Sequence, residues 1–175
     1  MEKIDVTYRQ RKDWTPESWN QVMGIYGALR ECAAIFATGV LEKGAAPTVI
    51  FHAAFAYALA CLSDGVHRLK NAGKPITFAD DVQVTKKITD VSVLLNECRN
   101  AACHINSGLH EVDTTRLYLP PVFGKCEEFV DVKGTLIGAS DYEDDCAVFY
   151  GSMRIYRDRH VKRALIEASA GLEEL

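Results

Sequence analysis

At 175 residues, with 48% hydrophobic and 25% charged side chains, the chain is long enough to bury a core without disulfides or a structural metal. A net charge of −4 excludes a uniformly basic nucleic-acid binder, though it leaves room for a local basic patch. The opening MEKIDVTYRQRKDW has no apolar signal segment. Of the six cysteines, Cys32, Cys61 and Cys98 fall in apolar runs. Together these predict a reduced, cytoplasmic protein with free thiols and no membrane association.

Residues 1–14 hold a candidate short strand, Ile4 to Tyr8, and then a polar lead-in. Thr15-Pro16 predicts a helix start, because Thr offers a capping oxygen and Pro suits the first turn. Trp19, Val22, Met23, Tyr26, Leu29, Ala33 and Phe36 recur at steps of three and four. That stripe predicts a helix to about Thr38, ending near Gly39.

Gly44-Ala45-Ala46-Pro47 restarts the pattern, and Val49 to Leu62 is almost wholly apolar. The run is shorter than the roughly 20 residues that span a bilayer. It therefore predicts a central helix, buried on most sides, with His52 as a satisfied core histidine. Gly73 is placed to take a left-handed cap.

Thr77 predicts the cap of a third helix running to about 106, with Asp80 and Asp81 in its first turn. Val84, Ile88, Val91, Leu95, Cys98, Ala102 and Ile105 form its inward stripe, and Asn106-Ser107-Gly108 its stop. Beyond Val112 come Pro120-Pro121 and an acid-rich segment from 127 to 145. Leu136 to Ala139 is a candidate strand. Residues 146–156 predict a hairpin about Gly151-Ser152. Asp158 predicts the cap of a last helix to about 172, with Val161, Leu165, Ala168 and Leu172 on one side.

No repeat or low-complexity linker divides these elements, so they predict a single domain, 1–175. The expected class is mainly α. It is an up-and-down helical bundle, with core helices in about 15–112 and 158–172. A small β-hairpin-containing insertion, about 113–157, precedes the C-terminal helix.

Chemistry concentrates in Arg99-Asn100-Ala101-Ala102-Cys103-His104, at the end of an apolar helical pattern. A helical run carrying R-N-x-x-x-H resembles the HEPN superfamily, small all-α domains whose motif is an Arg, four to six residues, then a His. The residue after that Arg is often polar, as Asn100 is. The resemblance implies metal-independent RNA cleavage of toxin or defence type, with Arg99, Asn100 and His104 catalytic and no cofactor. It also implies a homodimer in which two motifs meet, and often a cognate toxin–antitoxin partner. Inactive members imply the alternative, a non-catalytic HEPN-like binding protein such as an antitoxin, immunity or regulatory subunit. A second match, Arg154 with His160, lacks the following Asn.

At about 100° per residue, Asn100 and His104 share a helix face, whereas Arg99 and His104 stand about 140° apart. One site can use both only if the helix bends, the Arg side chain wraps round, or a second chain contributes. Cleavage by the neighbouring 2′-hydroxyl needs a proton taken and a proton returned, for which imidazole is suited. It also needs positive charge over the phosphorane, for which a guanidinium fork is suited. Asn100 is expected to hold the imidazole or bind phosphate. Cys98, Cys103, His104 and His110 fit no common zinc spacing, so no metal is expected. Arg154, Arg157, Arg159, Lys162 and Arg163, beside Tyr150 and Tyr156, form a candidate grip on RNA backbone. The acidic 141–145 segment offers those cations an alternative set of partners.

Overall fold

The computed structural model describes residues 4–45, 48–104 and 106–175. Three helices come first: α1 (Pro16–Ala37), α2 (Val49–Asn71) and α3 (Val91–Cys103). Short strands follow: β1 (Glu111–Val112), β2 (Thr115–Arg116), β3 (Val122–Phe123), β4 (Val130–Val132), β5 (Thr135–Ile137), β6 (Cys146–Tyr150) and β7 (Met153–Tyr156). A turn of π-helix, Arg157–Lys162, leads into α4 (Arg163–Glu173). The chain divides into two compact units: residues up to Phe78 together with Arg163–Leu175, and Ala79–Lys162.

This overturns the expected fold class. Four α-helices and seven strands in small sheets, counted among the described residues, make a mixed α/β protein rather than an up-and-down helical bundle. The strands all lie between Glu111 and Tyr156, where one hairpin was expected, and helix is lost in residues 77–90. Thr77 caps nothing and Asp81 takes a left-handed φ of 62°. The Thr85 hydroxyl accepts hydrogen bonds from the backbone N–H groups of Lys87 and Ile88, at 3.2 and 3.0 Å. Such local bonding competes with helix, and Val82, Val84 and Thr85 are β-branched besides. The helix therefore starts only where Asp90 accepts from the Val93 N–H, at 3.0 Å. Ile105, expected on its inward stripe, lies outside the described residues, as do Ala46 and Pro47 before α2.

In the first unit, Thr15 caps α1 by accepting from the Ser18 N–H at 3.2 Å, and Pro16 opens the helix. Thr48 caps α2 in the same way, through the Phe51 N–H at 3.1 Å. Ile25, Leu29, Cys32, Phe51, Phe55, Leu59, Leu62, Leu69 and Leu165 are fully buried. Gly65 sits where α1 and α2 pack together: a Cβ there would lie 2.7 Å from Leu29 Cδ2. Residues 4–10 form no strand; Tyr8 instead joins an aromatic group with Trp14, Trp19 and Tyr26.

α2 corrects a second expectation. It buries one side and exposes Val49 (84%), Ile50 (68%) and Tyr57 (52%), and His52 is exposed rather than in the core. It is also long and apolar enough to cross a membrane by length and composition, although part of it is buried in this unit.

In the second unit, β3, β6 and β7 form an antiparallel sheet, with Tyr150 opposite Met153 across Gly151-Ser152. Gly151 has φ 59°, and its α-carbon presses on the Leu109 carbonyl so closely that no Cβ fits. β1–β2 and β4–β5 are separate hairpins, each turning through two left-handed residues, Asp113-Thr114 and Lys133-Gly134. None of the six cysteines is in a disulfide; burial pushes the Cys32 and Cys98 thiols upward, whereas Cys103 is exposed.

Candidate functional site

The hexamer occupies the last turn of α3 and its C-cap. His104 ends the helix with φ −118° and ψ 77°, its N–H donating to the Asn100 carbonyl at 3.0 Å. Its own carbonyl accepts from the Ser107 N–H at 2.8 Å, turning the chain sharply. Beyond the turn, the buried His110 ring bonds through Nε2 to the Ala101 carbonyl at 2.8 Å and stacks on Tyr118. His104 and His110 are thus each tied back onto the helix.

The His104 side chain is exposed, and among the described residues its ring has no hydrogen-bond or ion-pair partner. Arg99 is half-buried, and its Nη1 donates to Asn100 Oδ1 at 2.9 Å. The expectation for Asn100 changes accordingly: it holds the guanidinium of Arg99, not the imidazole. Asn100 also lies one turn from His104 on the same face, so the Arg side chain wraps toward the face that its backbone position avoids. α3 is continuous α-helix up to Cys103, next to His104. The structure joins Arg99 to Asn100 and gives no polar contact from either side chain to His104.

The four arginines of the candidate RNA grip have acidic partners. Arg154 donates to the Ala139 carbonyl at 2.7 Å and to Asp141 at 2.6 Å. Arg157 pairs with Asp158 at 2.6 Å. Arg159 pairs with Asp144 at 3.0 Å and Asp145 at 3.4 Å, its guanidinium 3.6 Å above the Tyr142 ring. The Arg159 hydrogen bond holds the Asp144 carboxyl below its usual range. Asp145 is fully buried and also accepts from the backbone N–H groups of Asp158 and Arg159, at 2.9 Å each. Those bonds cap the turn after β7. Lys162 is half-buried, and Arg163 pairs with Glu167 at 2.9 Å in the first unit. The second motif match is dismantled in the same way. His160 is wholly buried, its Nδ1 accepts from the Tyr156 N–H at 3.0 Å, and burial pushes its pKa down to about 4.

A cavity of about 270 Å³ lies within the second unit, unnoticed in the sequence. Ile88, Leu94, Leu109 and Met153 give it an apolar lining, and Lys87, Glu97, Glu111 and Arg154 supply charge. Glu97 is the unusual member, a carboxylate with 11% of its side chain exposed, bonded to Lys87 at 2.7 Å. The one signal for it in the sequence is an acid on the helix face that also carries Leu94 and Ala101.

No three His, Cys, Asp or Glu side chains converge in a metal-holding arrangement among the described residues. The chain matches no family model, no curated protein and no solved structure.

Proposed function

We propose that the chain cleaves RNA without a metal, through a HEPN-like pairing of His104 with Arg99, in a toxin or defence setting. The observation that supports it most is the state of the hexamer. An exposed imidazole, without a partner among the described residues, stands one turn from Asn100, whose side chain holds the Arg99 guanidinium. His104 takes the proton of a ribose 2′-hydroxyl, and the oxygen attacks the adjacent phosphorus. The bond to the 5′ oxygen breaks, and that oxygen receives its proton from an imidazolium. Arg99 neutralises charge on the phosphorane oxygens, preorganised by Asn100. A second copy across a two-fold axis supplies the second imidazole, so that one acts as base and one as acid.

The test is incubation of a mixed RNA pool with the purified chain in EDTA. Products ending in 2′,3′-cyclic phosphate and 5′-hydroxyl are expected; intact RNA would reject the proposal. A specific observation favours a second reading, that of a non-catalytic binding subunit. The arginines at 154, 157 and 159 are held by aspartates, and the net charge is −4. Under that reading a cognate protein, or RNA, binds uncut.

A further inference from the structure

We infer that the cavity beside α3 is a base pocket that selects guanine in single-stranded RNA; this rests on the proposed cleavage reading. Glu97 of the cavity and His104 of the motif share one helix face. Glu97 and His104 are seven residues apart, so about 20° apart around α3 and about 10 Å apart along it. Leu109, which follows the turn that His104 begins, lines the same cavity. A base seated at Glu97 thus leaves its neighbouring phosphate beside His104.

The volume, about 270 Å³, falls just under the lower end of pockets for drug-sized ligands and suits one base. Leu94, Leu109 and Met153 offer apolar surface for the faces of a ring. The edge is read by charge. Guanine is the one common RNA base whose pairing edge carries two adjacent donors, N1–H and the exocyclic amino group. A carboxylate accepts both at once. Glu97 is that carboxylate, mostly withdrawn from water, where a hydrogen bond to a charge counts for most. Lys87, 2.7 Å from Glu97, is placed to donate to the neighbouring guanine O6. Adenine and cytosine set an acceptor against Glu97, and uracil flanks its single donor with two acceptors.

The experiment titrates the four ribonucleoside monophosphates into full-length His104→Ala, which leaves the pocket intact, and maps backbone amide shifts by NMR. Guanosine monophosphate should bind at least about tenfold more tightly than the others, with shifts centred on residues 94–97 and 108–109. Glu97→Gln should abolish that preference. Leu109→Trp, which fills the cavity without touching the ion pair, should abolish binding in a chain whose melting is unchanged. Equal binding of all four, or no binding at millimolar concentration, overturns the inference. The cleavage pattern of the parent chain separates the two proposals. Cuts beside guanosine support both. Cuts without base preference overturn the pocket and spare the catalyst. Guanosine monophosphate bound without cleavage keeps the pocket and sinks the catalyst.

Discussion

His160 carries a pH dependence that can be worked through from its surroundings. The ring is wholly buried, and its Nδ1 accepts from the Tyr156 N–H, so the proton of the neutral form sits on Nε2. Burial is the main cause of a folded pKa of about 4 against an ordinary 6.5; the Asp81 backbone and the Asp145 and Asp81 charges oppose it. A base whose folded pKa lies below its unfolded value takes up its proton more readily when unfolded. Stability from this group is therefore complete above pH 6.5 and falls as the pH drops toward 4. Across that window one proton is worth about 3 kcal/mol. Protonation also destroys the acceptor that Tyr156 uses. Urea unfolding of the parent and of His160→Asn, which keeps an acceptor near the Nδ1 position, should be compared from pH 7 to pH 4. The parent should lose about 3 kcal/mol more than the variant. Parallel curves would refute the reasoning, and with it the assignment of His160 as a structural group.

Two further predictions concern packing and capping. Gly65→Val drives a side chain into Leu29, 2.7 Å from where the new Cβ stands, and should destabilise by about 1–3 kcal/mol in chemical denaturation. Asp145→Ala strips the acceptor from two N–H groups after β7 and from Arg159; it should lower stability by about 3 kcal/mol, most of it from buried unpaired donors. A loss under about 1 kcal/mol would show that water replaces the carboxylate.

The local signals that proved readable are those in which one residue decides the geometry. Thr15-Pro16 marks where α1 begins because the cap and the ring act within one turn. Gly151-Ser152 marks the β6–β7 turn because a left-handed residue is needed there. Residues 77–90 misled because a period of three and four in Val84, Ile88 and Val91 says nothing about Thr85 bonding its own neighbours. α2 misled because a helix apolar on every side has no contrast from which to read its buried face; His52 and Tyr57 therefore face water. At the site, the Arg99–Asn100 bond follows from adjacency, whereas the shared face with His104 left Asn100 between the imidazole and a phosphate. Glu97 escaped notice because its partner, Lys87, lies in the stretch misread as helix. Arg154 and Arg159 drew attention as cations, and their acidic partners at 141–145 decide their role through contacts across the chain.

The most direct test of the account compares cleavage of RNA in EDTA by the parent, His104→Ala and Arg99→Ala at matched melting temperatures. General acid–base catalysis contributes about 10²–10⁴-fold, and a preorganised charge donor about 10²–10³-fold. His104 is exposed, and among the described residues the Arg99 side chain bonds only to its neighbour Asn100, so neither change should disturb folding. Cleavage by the parent is expected, with losses on those scales in both variants. Undiminished cleavage by well-folded His104→Ala would contradict that expectation.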